Sequence, residues 1–138
     1  MARRKAPSRY RGWVIENLKP LLPRTWDLSP YSRLPDAVDK TTVVVWLQNI
    51  TRLPEAPLAS HVTEYTVTIV SPRTSPTEAD ADLDDDIADL LHALDNVRNE
   101  QGSPNLRWTR AERAVYAESF LAFDITVSVI TTATQTQE

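Results

Sequence analysis

SPTEADADLDDDIADLLHAL, residues 75–94, sets six aspartates between Asp80 and Asp89 and then turns to leucine. Read as a loop, it would hold a metal ion; read as a helix, it would cover a sheet. Three signals mark a helix start: Ser75 as N-cap, Pro76 at the first helical position, and Glu78 placed to close a capping box. Leu83, Ile87, Leu90, Leu91 and Leu94 then fall within an arc of about 100° at helical pitch. Asp82, Asp85, Asp86 and Asp89 fall opposite, and aspartates early in a helix suit the positive end of its dipole. The loop reading fails on its ligands. DADLD (80–84) opens like a calcium-binding EF-hand, but Asp85 stands where glycine is needed and Leu91 where glutamate is needed. An acid/base pair of carboxylates needs one partner desolvated, and a polar helix face does not supply that. The sequence therefore predicts a helix with a solvated acidic side, no metal site and no catalytic carboxylate.

The neighbouring segments supply the sheet. HVTEYTVTIV (61–70) alternates, with Thr63, Tyr65, Val67 and Ile69 on one face and Glu64, Thr66 and Thr68 on the other. TTVVVWLQNI (41–50) is β-branched and nearly continuously apolar, as in a strand covered on both faces. The proline-rich stretch RLPEAPLAS (52–60) joins them as a long hairpin connection. Upstream, SRYRGWVIENLK reads as a helix capped by Ser8, with Val14, Leu18, Leu21 and Leu22 as its apolar stripe, ended by Pro20. RTWDLSPY (24–31) reads as a short strand. Downstream, NLRW (105–108) reads as a short strand, TRAE (109–112) as a turn, and VYAESFLAFDITVSVIT (115–131) as the last strand. The order α-β-β-β-α-β-β predicts an α+β fold: a mixed, mainly antiparallel sheet with two main helices packed on one face. Residues 1–8 are expected to be a flexible basic arm, 9–131 one domain, and 132–138 a disordered polar tail.

Composition narrows the function classes. The chain has 138 residues, enough for one core, and no apolar run near the ~20 residues of a membrane span. Without cysteine there is neither a disulfide framework nor thiolate chemistry, and the basic start lacks the apolar stretch of a secretion signal. An intracellular origin is the expectation. Only Gly12 and Gly102 are present, both isolated, which excludes glycine-rich nucleotide cradles. His61 and His92 fit neither a zinc spacing nor a nucleophile elbow, so no cofactor and no catalytic residue is assigned. The net charge of −4 is unevenly spread: residues 1–60 hold 10 basic and 5 acidic side chains, residues 61–138 hold 5 and 14. Chance together with a solvated acidic helix gives one account of this spread; the other is a pair of poles that favour and orient contacts between copies packed side by side. Arg3, Arg4, Lys5, Arg9 and Arg11 with Tyr10 and Trp13 would suit a nucleic-acid backbone, but a solubilising arm is the simpler account in an acidic chain. Trp26, Trp46 and Trp108 are expected in the core or at subunit contacts.

RYRGWVIENLKPLLPRTW, TTVVVWLQNITRLPEAPLASHVTEYTVTIVSP, DDDIADLLHALD and LRWTRAERAVYAESFLAFDITVSVIT, taken in that order, resemble the tail terminator proteins of long-tailed (siphovirus-type) bacteriophages over residues 8–131. The helix-plus-proline opening and the FLAFDITVSVI strand carry most of the likeness. The resemblance implies a non-enzymatic virion subunit in a hexameric ring at the head-proximal end of the tail. Such a ring ends polymerisation of the tail tube protein, meets a neck or head-completion protein, and lets DNA pass its lumen without specific binding. No membrane is involved. Candidate subunit contacts are Arg9, Arg11, Arg24 and Arg33 on the basic side, and Asp85, Asp86 and Asp89 on the acidic side. The alternatives are another head-completion connector, a small nucleic-acid-binding module, or an acidic-site hydrolase.

Overall fold

A computed structural model describes residues 10–30, 33–34, 38–52, 61–97, 106–116 and 119–131. The arm 1–8, Arg9, the connection around 53–60, the 99–105 segment and the tail 132–138 lie outside the described residues, as does the Ser8 cap. The elements are α1 (Arg11–Leu18), a 3₁₀ turn (Lys19–Leu21), β1 (Asp27–Leu28), β2 (Thr42–Arg52), β3 (His61–Val70), α2 (Pro76–Asp95), β4 (Leu106–Tyr116) and β5 (Phe120–Thr131). The expected element order is observed. One five-stranded sheet runs β1-β2-β3-β5-β4; β1 joins β2 in parallel, and all other pairs are antiparallel.

Alternation in β3 sets the layers. Tyr65, Val67 and Ile69 are buried, and the register carries that face outward to Val43 and Val45 of β2 and to Ile125, Val127 and Val129 of β5. Val14 and Leu18 of α1, with Leu83, Leu90, Ala93 and Leu94 of α2, close over them in one core. Both helices therefore lie on one face. Pro20 converts the end of α1 to the 3₁₀ turn, because it lacks an N–H and crowds the preceding turn.

Three local expectations are corrected. First, TRAE (109–112) is not a turn; it lies inside β4, and the break comes later, where Ser119 N–H donates to Tyr116 O at 3.2 Å. Val115 and Tyr116 thus belong to β4, and the last strand begins at Phe120. Second, the Ser75 side chain makes no capping bond, and Glu78 pairs with Arg73 at 3.3 Å instead of reaching back. Pro76 already removes one of the orphan N–H groups, so the start stands without the box. Third, α1 starts behind Tyr10, not a capping serine, and Tyr10 sits at φ 54°, ψ −123°. Glycine tolerates that region and a β-carbon does not.

Candidate assembly surface

The acidic helix is continuous from Pro76 to Asp95, so Asp85 and Leu91 are helical residues. Its aspartates do not share one environment. Asp84, Asp85 and Asp89 are exposed. Asp80 is met by Arg113 from β4, and Asp82 by Arg73 at 3.1 Å. Asp86 departs from the expected solvated face: it is half-buried and accepts a hydrogen bond from Thr41 Oγ1 at 3.2 Å. Burial raises its pKa; the Thr41 bond opposes that, and the charges of Asp82, Asp89 and Asp85 reinforce it. Among the described residues, no three His, Asp or Glu side chains converge so as to hold a metal ion.

The basic candidates divide in the same way. Arg9 lies outside the described residues. Arg11, read from sequence as a surface cation, is half-buried and spent inside the fold. It donates to Val45 O at 2.5 Å, Pro30 O at 2.7 Å and Ser29 O at 3.3 Å. Burial lowers its pKa, yet a guanidinium starts so high that it stays charged. Arg11 thus ties α1 to the carbonyls of β2 and of the chain after β1. Arg24 and Arg33 are exposed. Of the seven candidates, Arg24, Arg33, Asp85 and Asp89 stand on the surface, whereas Arg11 and Asp86 hold elements together.

The sheet face away from the helices carries a feature the sequence reading missed. Trp46 Nε1 donates to Thr68 Oγ1 at 3.0 Å, Thr68 Oγ1 donates to Asp124 Oδ1 at 2.7 Å, and Tyr116 OH donates to the same oxygen at 2.8 Å. Four side chains from β2, β3, β5 and β4 form one chain of hydrogen bonds. Burial, then the bond to Asp124, raises the Tyr116 pKa. The available signal was Asp124 itself, a carboxylate in the middle of the most apolar strand, which needs partners if it is not to lie desolvated. Neither histidine joins this chain. His61 is half-buried with its ring 5.9 Å from that of Tyr10, and its Nε2 is buried without a hydrogen-bond partner among the described residues. His92 is exposed, and Asn96 donates to its carbonyl at 2.7 Å.

The far half of β2 is open. Thr42 to Val45 are buried, but Leu47 to Arg52 are all exposed, with Leu47 at 39% and Ile50 at 49%. A bulge between Leu47 and Asn49 shifts the β2–β3 register, and a matching bulge between Trp108 and Arg110 shifts β4–β5. Bulges in β2 and β4 add local twist and bend the sheet.

No protein-family profile matches the chain, and no curated protein matches it in sequence. Solved structures do. A chain of the virion of the native gene transfer agent (GTA) particle is 16% identical, with a TM-score of 0.56 over 84% of both chains. The PVC sheath/tube terminator of an extracellular contractile injection system, in its extended state, is 15% identical with a TM-score of 0.46. That alignment takes in 91% of this chain and 58% of the terminator. The chain thus shares its fold with a chain of the GTA particle virion.

Proposed function

We propose that the chain is a structural subunit of a phage-like tail. It assembles as a ring of six at the head-proximal end of the tail tube, ends tube polymerisation there and joins the tube to the neck. The observation that carries this reading is the α+β fold shared, over 84% of both chains, with a chain of the GTA particle virion. The sequence resemblance to siphovirus-type tail terminators supplies the position in the tail. A structural role also fits the charge distribution along the chain, net basic in residues 1–60 and net acidic in residues 61–138. Arg24 and Arg33 stand on the segments flanking β1, and Asp85 and Asp89 on the outer side of α2. A contact of unlike surfaces closes into a ring when the rotation per subunit divides a full turn. Six copies at −4 each carry −24, so local complementarity has overall repulsion to offset. A bore lined in part by carboxylates would let DNA slide without sticking.

The deciding experiment mixes the purified protein with its cognate tube subunit and images the product. Tubes of limited length with one ring at an end are expected. Tubes that keep growing past a bound ring overturn termination. Binding to filled heads alone transfers the chain to a head-completion role.

A further inference from the structure

The two edges of the sheet match one another, row for row. Three antiparallel pairings separate β2, which forms the edge beyond the short β1, from β4, so the two strands point in opposite directions. One row crosses the whole sheet as Leu47, Tyr65, Val127 and Trp108. It begins with an exposed aliphatic side chain and ends with a half-buried indole. The next row, on the other face, is Asn49, Glu64, Ser128 and Arg107. It begins with an amide that donates to a carboxylate at 2.8 Å and ends with an exposed arginine that no described side chain meets.

The β2 edge is also chemically open. β1 covers it only at Thr42 and Val43, and Arg11 takes the Val45 carbonyl. From Trp46 to Thr51 the strand has no partner on its outer side among the described residues. That stretch, WLQNIT, contains no charge and no proline, the devices that protect edge strands from pairing.

We propose that copies of this chain join by strand addition, the β4 edge of one copy pairing antiparallel with the β2 edge of the next. Placed level, this sets Trp108 of one copy against Leu47 of its neighbour, and Arg107 beside the Asn49–Glu64 pair. Apolar meets apolar in one row and positive meets negative in the other. The sheets continue from copy to copy with all helices on the same side, and the exposed Ile50 is covered beside Leu47. The proposal rests on the ring reading and specifies its contact.

The chain has no cysteine, so cross-linking tests it directly. Facing strand partners lie ~4.5–5.5 Å apart between Cα atoms, within the ~4.4–6.8 Å a disulfide spans. The double variant Asn49→Cys, Arg107→Cys, oxidised at assembling concentration, is expected to give covalent species beyond the dimer, with Asn49→Cys alone giving none. Dimers from Asn49→Cys alone would show β2 meeting β2 and overturn the proposal. Assemblies seen by light scattering in the double variant without cross-links overturn it while leaving the ring intact. A wild-type chain monomeric at every concentration removes both. A second pair of variants keeps the backbone untouched. Glu64→Arg and Arg107→Glu should each weaken assembly about tenfold, and the double swap should restore it to within about threefold, as complementary charges require. Weakening without restoration also overturns the assigned contact.

Discussion

Val45 and Leu47 sit two residues apart on the same strand and the same face, yet Val45 is fully buried and Leu47 is 39% exposed. The difference lies in what stands over them. Val45 is packed in the core that α1 and α2 close over, whereas from Leu47 onward β2 itself emerges, although its β3 partners Tyr65 and Thr63 stay buried. Apolar character alone therefore does not tell where the core ends. Coverage by a second layer does.

The sharpest way to break this contrast is to empty the covered half. Leu90→Ala leaves a cavity under α2 and should cost ~2–5 kcal/mol in chemical denaturation, whereas Ile50→Ala should stay within ~0.5 kcal/mol. Equal losses at both sites would mean that the hairpin end is covered too. Next comes the hydrogen-bonded chain between the two halves. Asp124→Ala strands the hydroxyls of Thr68 and Tyr116 and should cost ~1–3 kcal/mol. The Trp46 fluorescence, coupled to it through Thr68, should change with it. At the open end, Tyr10→Gly relieves a backbone conformation worth ~1–3 kcal/mol of strain, partly offset by the lost contact with His61. A modest rise in melting temperature is expected, and a fall would show that the ring contact outweighs the strain.

The smallest effect concerns Asp86. Its folded pKa is raised, so it favours folding below the unfolded carboxylate range and loses that contribution as pH rises through the folded value. At neutral pH the ionised group opposes folding. Asp86→Asn keeps an acceptor for Thr41 and should stabilise by up to ~0.5 kcal/mol at pH 7, the gain vanishing below about pH 4. A gain that persists at low pH would point to packing rather than charge.

The same contrast explains what could be read from the letters. Elements with a regular apolar stripe announce themselves, as α2 and the Tyr65, Val67 and Ile69 face of β3 do, although the other face of β3 is not solvated as its alternation suggests: Thr68 and Val70 are fully buried. β4 does not announce itself. Its bulge at Thr109 resets the alternation, and Arg107, Arg110, Glu112 and Arg113 stand exposed, so a paired strand looks like a polar turn. Charge counts were legible by halves, but their use was not. Arg11 and Asp86 look like surface ions until the fold shows each bonded to backbone or hydroxyl groups far away in sequence. Row matching between the two sheet edges needs the register of every strand, which no single segment contains.

The chain of Trp46, Thr68, Asp124 and Tyr116 has a mechanical side. Backbone ladders resist separation of neighbouring strands, but sliding one strand along another exchanges one register for the next. A tie that crosses four strands, with Trp46 and Tyr116 reaching along the sheet to the Thr68–Asp124 pair, has no equivalent partner one step along, so it opposes such sliding wherever it stands. The sheet then behaves less like a stack of ribbons than like a plate pinned through its middle, and a pull along its strands is shared by all four.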